Sequence, residues 1–140
     1  MSSYNKFNSF VEALAEKVHN LGSDQFKIAL CAAANAPVAA NTQLSDLTVI
    51  TANFTGVNPL NIVTTSSAQT AGTYKLVVED LTVTADTGGN PAFRYIVIYN
   101  DTATNKELVG FFDYGSEVTL AATDQFIFNF DQSAGVLTLV

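Results

Sequence analysis

The chain predicts a mainly β fold: an antiparallel β-sandwich or jelly-roll-like domain preceded by one amphipathic N-terminal helix. Three observations carry this reading. The stretch from Thr73 to Val140 is a near-continuous series of short runs rich in Val, Ile, Thr, Phe and Tyr, separated by Gly, Asn and Asp turns. Phe126, Phe128 and Phe130 alternate along one such run and would place three rings on a single strand face. Before all of this, Phe7, Phe10, Val11, Leu14, Val18 and Leu21 recur at spacings of three and four, the period of one helix face.

The 140 residues fit one domain, 1–140, with the helix over 4–21 and the β-sandwich over 24–140. Ser3 or Asn5 would cap the helix and Gly22 would end it in a left-handed turn. His19, near its end, would serve as a capping or surface residue favoured by the helix dipole. The helix is expected to cover its own domain's sheet or to dock on a neighbouring subunit. Gln25–Cys31 alternates and then becomes wholly apolar, as a strand entering the interior would. Ala32–Thr42, alanine-rich around Pro37, predicts a surface loop, with long irregular stretches at about 32–43 and 51–73. Between them, Leu44–Ile50 predicts one helical turn leading into extended chain. Within the second stretch a short strand is expected at Asn61–Thr65.

From Tyr74 to Ala85 the pattern predicts a long extended run, closed by the turn Asp86-Thr87-Gly88-Gly89-Asn90-Pro91. Phe93–Asn100 and Leu108–Ser116 read as a central antiparallel hairpin, the second strand ending in a Gly-Ser turn. Val118–Leu120, Gln125–Phe130 and Val136–Val140 follow as further strands.

Composition bounds the function. A net charge of −7 with no lysine or arginine run disfavours nucleic acid and anionic membranes as partners. The longest apolar run, Ile28–Ala34, is too short to span a bilayer, and the N-terminus lacks a basic segment followed by an apolar one, so the expectation is a protein made in a cytoplasm. Cys31 has apolar neighbours and no nearby base, which predicts a buried thiol packing as a small hydrophobe.

Chemistry-bearing patterns are sparse. One histidine and one cysteine leave acid–base work to carboxylates. Glu79 and Asp80 point to opposite strand faces, and Asp113 between Phe112 and Tyr114 reads as a turn-capping side chain. Asp86, Asp124 and Asp131 are not embedded in a calcium-loop pattern. The chain therefore reads as a non-enzyme with no catalytic residue, metal or cofactor.

One resemblance goes further. Tyr4-Asn5-Lys6-Phe7-Asn8 with Phe10-Val11-Glu12, Val18-His19-Asn20-Leu21, Phe26–Leu30, Phe93–Asp101, Phe112–Ser116 and Val118–Leu120, in this order, resemble a family of small virion structural proteins of tailed bacteriophages. The resemblance covers nearly the whole chain and is weakest from Ala32 to Ser67. It implies a capsid decoration, or cement, protein on the capsid exterior, with the major capsid protein and itself, as a homotrimer, for partners. It brings no catalytic or cofactor residue. The contacts would come from the irregular loops, through Asn53, Phe54, Thr55, Val57, Asn58 and Pro59 in one and Pro37 and Val38 in the other. Two alternatives stand beside it: a subunit of the phage neck or tail, and a carbohydrate-binding β-sandwich using Tyr95, Tyr99 and Tyr114 as a sugar platform.

Overall fold

The computed structural model describes residues 4–140. The chain is mainly β, with antiparallel sheets and one short helix near the N-terminus. The strands are β1 (Tyr4–Lys6), β2 (Phe26–Cys31), β3 (Thr64–Thr70), β4 (Thr73–Val78), β5 (Leu81–Thr84), β6 (Asn90–Asn100), β7 (Leu108–Leu120), β8 (Gln125–Phe128) and β9 (Leu137–Leu139); the helix α1 spans Ser9–Ala15. They form a four-stranded sheet in the order β1-β7-β6-β2, a three-stranded sheet β3-β4-β9 and a pair β5-β8.

The β6–β7 hairpin lies at the centre of the largest sheet, as its density of β-branched and aromatic residues predicts. Phe112 opposes Ile96 and Gly110 opposes Ile98, while β2 flanks β6 with Leu30 opposite Ile96. Strand β7 does not stop at the Gly-Ser step. Gly115 takes a positive φ of 96° inside a register shift between Phe93 and Tyr95, and β7 then rejoins β6 at Val118 and runs on to Leu120. A bulge, which bends a strand and sharpens its twist, replaces the expected turn.

The large sheet is buried on both faces. On one, Phe10, Phe26, Ile28, Leu30, Ile96, Ile98 and Phe112 join Leu76, Val78, Val83, Phe128, Phe130 and Leu137 of the smaller sheets in one core, a sandwich-like packing. Phe93, Phe126 and Phe128 meet there ring to ring, with centroids 5.0–6.3 Å apart, so Phe126 and Phe128 share the expected face, while Phe130 lies beyond the strand end and packs against Phe112 at 6.1 Å. Each such ring removed from water contributes on the order of 1.5–3 kcal/mol. On the other face Phe7, Ala29, Cys31, Val97 and Leu108 are covered by Leu44 and Leu47 from the segment after β2. Cys31 is fully buried there, and burial pushes its thiol up to about 11.

Several boundaries differ from expectation for identifiable reasons. The helix is seven residues long and not the 4–21 span. Tyr4–Lys6 instead forms an edge strand on β7, where the Tyr4 ring lies over Gly110, a position at which any Cβ would come within 2.2 Å of that ring. The single apolar helix face expected from Phe7 to Leu21 does not form: Phe7, ahead of the helix, and Phe10, within it, bury on opposite faces of the sheet, and Val11 is half exposed. Asn8 rather than Asn5 precedes the helix, without a side-chain cap, and Ser3 lies outside the described residues. The helix ends before Gly22: Lys17 takes the left-handed conformation at φ 67°.

The 73–85 run divides at Glu79-Asp80 into β4 and β5, which belong to different sheets; Asp80 accepts a hydrogen bond from the Phe130 amide at 2.9 Å and fixes the break. The strand expected at Asn61–Thr65 begins at Thr64, because Asn61 and Ile62 are held by β2 instead: Ile28 N–H donates to the Leu60 carbonyl and Ile62 N–H to that of Phe26. Leu44–Asp46 is the expected single turn, a 3-10 turn closed by reciprocal bonds between Gln43 and Asp46. Strand β8 ends at Phe128 and β9 at Leu139, shorter than their apolar runs.

Candidate protein-contact surface

The residues singled out in the two loops separate into anchors and tips. Phe54 is an anchor: it is only 9% exposed, forms a bridge with Ala85 and belongs to the main core, so it is corrected from contact residue to core residue. An aromatic ring in a polar loop is drawn inward by the area it removes from water. Asn53 is an anchor as well. Its amide N–H donates to Asn90 Oδ1 at 2.7 Å, its Nδ2 donates to the Gly89 carbonyl at 2.9 Å, and its own carbonyl accepts from Asp86 N–H at 2.9 Å. Thr55 N–H continues the attachment to the Thr84 carbonyl at 2.9 Å.

Beyond these anchors the loop turns outward. Gly56 (φ 100°) and Asn58 (φ 49°) take left-handed conformations, and Val57 between them is 92% exposed. Pro59 is half-buried over a depression shared with Lys27, Asn61 and Tyr99. In the other loop Pro37 is buried, which removes it from the contact set, while Val38 is 55% exposed at a turn closed by Asn41, whose Oδ1 accepts from Val38 N–H at 2.8 Å. Asn8 N–H donates to the Ala39 carbonyl at 2.9 Å and ties this loop to the start of α1. The surviving tips are thus Val57, Asn58 and Val38, with Thr55 exposed beside them on bonded backbone. The loops are well bonded at their bases, so these tips sit on fixed backbone.

The three tyrosines of the sugar-platform alternative do not share a surface. Tyr95 and Tyr99 pack half-buried beside Phe111 on the face covered by Leu44 and Leu47. Tyr114 lies across the bulge and packs edge-on to Phe126, which meets the main core, at 5.6 Å. Asp113 opposes Tyr95 in the register, so Tyr114, one residue further along β7, points to the opposite face of the sheet.

Charge on the surface is locally balanced at two points. Arg94 makes a two-pronged pair with Asp113 at 2.8 and 3.0 Å, and Asp113 Oδ1 also accepts from Gly115 N–H at 2.8 Å, the turn-capping bond anticipated for it. Together these hold the Asp113 carboxyl below its usual range, with Arg94 the larger cause. Asp101 pairs with Lys27 at 3.6 Å and Lys106 at 3.2 Å, and Lys106 Nζ also donates to the Asp101 carbonyl.

Sequence reasoning missed a buried polar centre. His19 is 4% exposed and is no surface cap. It packs between Phe10 and Phe26, and its Nδ1 lies 3.0 Å from Nδ2 of the fully buried Asn100. The Asn100 Oδ1 accepts from the amides of Thr102 and Ala103, so its Nδ2 must be the donor; it serves both His19 and Asp24 Oδ2, the latter at 2.7 Å. Histidine Nδ1 is therefore an acceptor, the ring is neutral with its proton on Nε2, and burial, outweighing Glu107 and Asp24, lowers its pKa. The sequence carries little signal for it: His19 and Asn100 each follow an apolar or aromatic residue, Val18 and Tyr99, and each precedes a polar one. This centre ties the segment after α1 to the β6–β7 hairpin. Among the described residues no group of three or more His, Cys, Asp or Glu is arranged to hold a metal ion.

Comparison with protein-family models, with curated proteins and with solved structures returns no match.

Proposed function

We propose that this chain is a structural protein of a tailed-bacteriophage virion: a capsid decoration protein that binds the outer surface of the expanded shell as an oligomer and stabilises it. One observation carries the reading. The scattered sequence blocks on which the resemblance rests assemble in space, with Tyr4–Lys6, Phe26–Leu30, Phe93–Asn100 and Phe112–Leu120 forming the four strands of a single sheet. The stretch where the resemblance is weakest, 32–67, supplies the loops that wrap this sheet and carry the exposed tips Val38 and Val57. A common frame with divergent contact loops is the pattern expected when related proteins sit on different shells.

The mechanism needs no chemistry. A ligand that binds the expanded shell and not its precursor or ruptured state stabilises the expanded form by mass action, by about 2.7 kcal/mol per site when its free concentration is 100 times Kd. Val57, held between two left-handed residues on a loop anchored by Phe54 and Asn53, enters such a contact with little conformational entropy left to lose.

The test is co-sedimentation with expanded and unexpanded shells of the phage that encodes the chain. Binding to expanded shells alone is expected, with at least a tenfold loss in Val57→Asp while the fold is unchanged. Equal binding of Val57→Asp removes this loop from the account. No binding to either shell, with antibody labelling at one vertex or along the tail, assigns the protein to the neck or tail. Removing Asn53–Asn58 outright is uninformative, since it deletes the core residue Phe54.

A further inference from the structure

The β3–β4 hairpin leaves one long backbone edge unused. Strand β3 is the end strand of its sheet, and among the described residues none hydrogen-bonds its outer side. The other sheet edges are shorter or occupied: β1 and β9 have three residues each, β8 has four and follows Asp124, and β2 is bonded along its outer side by Ile50, Leu60 and Ile62. Natural proteins usually blunt such an edge with charge, proline or a strong bulge. Here the bulge lies only at its start, between Thr64 and Ser66, and Ser66–Thr70 runs in regular register with Thr73–Val77.

The turn fixes which backbone groups face outward. Ala71 (φ 51°) and Gly72 (φ 85°) form a two-residue turn of the I′ kind, which makes Thr70 and Thr73 a hydrogen-bonded pair. Pairs then alternate, so Ala68 bonds inward to Lys75, whereas Ser67 and Gln69, opposite Leu76 and Tyr74, direct their N–H and C=O groups to the free edge. Ala68 is the centre of the regular stretch and is exposed.

Charge decides the occupant. The chain carries −7 overall, yet Thr64–Tyr74 holds no charged side chain. A basic or acidic partner strand finds no charge on β3 itself to pair with, and Lys75, opposite Ala68 on β4, is turned to the Ser133 carbonyl at 2.8 Å. A neutral strand would, and two copies of this chain meeting here avoid the repulsion between carboxylates that other approaches bring.

We propose that β3 pairs antiparallel with β3 of a second copy across a two-fold axis at Ala68. Ser67 and Gln69 of each copy exchange backbone hydrogen bonds with Gln69 and Ser67 of the other, and the two Ala68 residues face one another as a non-hydrogen-bonded pair. The small methyl groups permit the close Cα approach of about 4.5 Å that such a pair has. A five-residue strand pair lies at the small end of interfaces, below about 1,200 Å² in total, so the dimer forms and dissociates with concentration. The inference stands independently of the virion reading, and its two-fold symmetry differs from the three-fold arrangement that the resemblance implies.

The experiment uses thiols and mass. Ala68→Cys is expected to give a disulfide-linked dimer on mild oxidation, since the paired Cα spacing falls within the roughly 4.4–6.8 Å that a disulfide bridges. Val57→Cys, on an unrelated exposed loop, is the control, and the buried native Cys31 contributes no background. Sedimentation velocity across a concentration series should show a monomer–dimer equilibrium that Ala68→Lys, placing two ammonium groups face to face, shifts toward monomer at least tenfold. A linked fraction for Ala68→Cys no greater than that for Val57→Cys overturns the proposal. So does a wild-type chain that stays monomeric or forms trimers insensitive to Ala68→Lys.

Discussion

Replacing Asn100 with alanine tests the buried polar centre most severely. The side chain is fully buried and makes four hydrogen bonds, to His19, Asp24, Thr102 and Ala103, at 3.0, 2.7, 3.0 and 3.2 Å. Its loss does not affect the four equally. Thr102 is exposed and its amide can turn to water, and Asp24 Oδ2 keeps the Asn20 amide at 2.8 Å. His19 Nδ1 and the Ala103 amide are buried and have no such recourse. Leaving a buried polar group unsatisfied costs about 1–3 kcal/mol, so two of them together predict a loss of about 3–5 kcal/mol, allowing for the partial collapse of the site. That is a large part of the roughly 5–15 kcal/mol that keeps a domain folded. Urea unfolding followed by circular dichroism measures it, with Asn105→Ala, an exposed neighbour in the same hairpin loop, expected within about 0.5 kcal/mol of wild type. A loss below about 1 kcal/mol for Asn100→Ala would refute the claim that this amide organises the hairpin and the segment after α1.

Four further outcomes follow from the same structure. The folded-state pKa of His19 lies below its unfolded value of 6.5, so the unfolded chain binds the extra proton: stability is full above pH 6.5 and falls as pH drops below it, a slope that His19→Gln should abolish between pH 7 and 5. Asp46, Asp113 and Asp131 are also lowered, and their contributions are present above about pH 3.8 and lost only below it, which separates the two windows in a pH series of urea midpoints. Cys31, buried and with its thiol pushed up to about 11, should be unmodified by a thiol reagent at pH 8 in the native state and titrate fully in 6 M guanidinium; fast native-state labelling would contradict its packing on the covered sheet face. Ala71→Gly should raise stability by roughly 0.5–1 kcal/mol, because alanine at φ 51° carries a left-handed cost that glycine lacks; a loss instead would show that the turn is not of the I′ kind.

The fold class and the central hairpin were legible because they rest on local signals: β-branched density over Phe93–Asn100 and alternation over Phe126–Phe130 act within a few residues. The errors arose where a distant partner decided. Tyr4–Lys6 continues a helical period on paper, yet the open edge of β7 and the bare Gly110 claim it as a strand. The Gly115 step looked like a strand end because a left-handed glycine serves a turn and a bulge equally well, and only the length of β6 opposite selects the bulge. Phe54 and Pro37 lie in stretches whose irregularity predicts contact loops, whereas each turns inward. His19 and Asn100 are 81 residues apart, and no periodicity in either segment announces that they meet. Of the stretch 51–73 that reads as irregular, Thr64–Thr70 is strand β3, and the separation of the remainder into bonded anchors and exposed tips needs the partners at Ala85–Asn90 to be in place.

The assignment to the virion is tested most directly by counting. On the proposed assignment, quantitative mass spectrometry of purified phage particles gives the chain's copy number relative to the major capsid protein. A ratio of order one, retained through washing at high salt, is the result expected of a protein that coats the shell. A handful of copies per particle would contradict the decoration reading and place the chain at the neck or tail, and its absence from the particle would end the structural assignment.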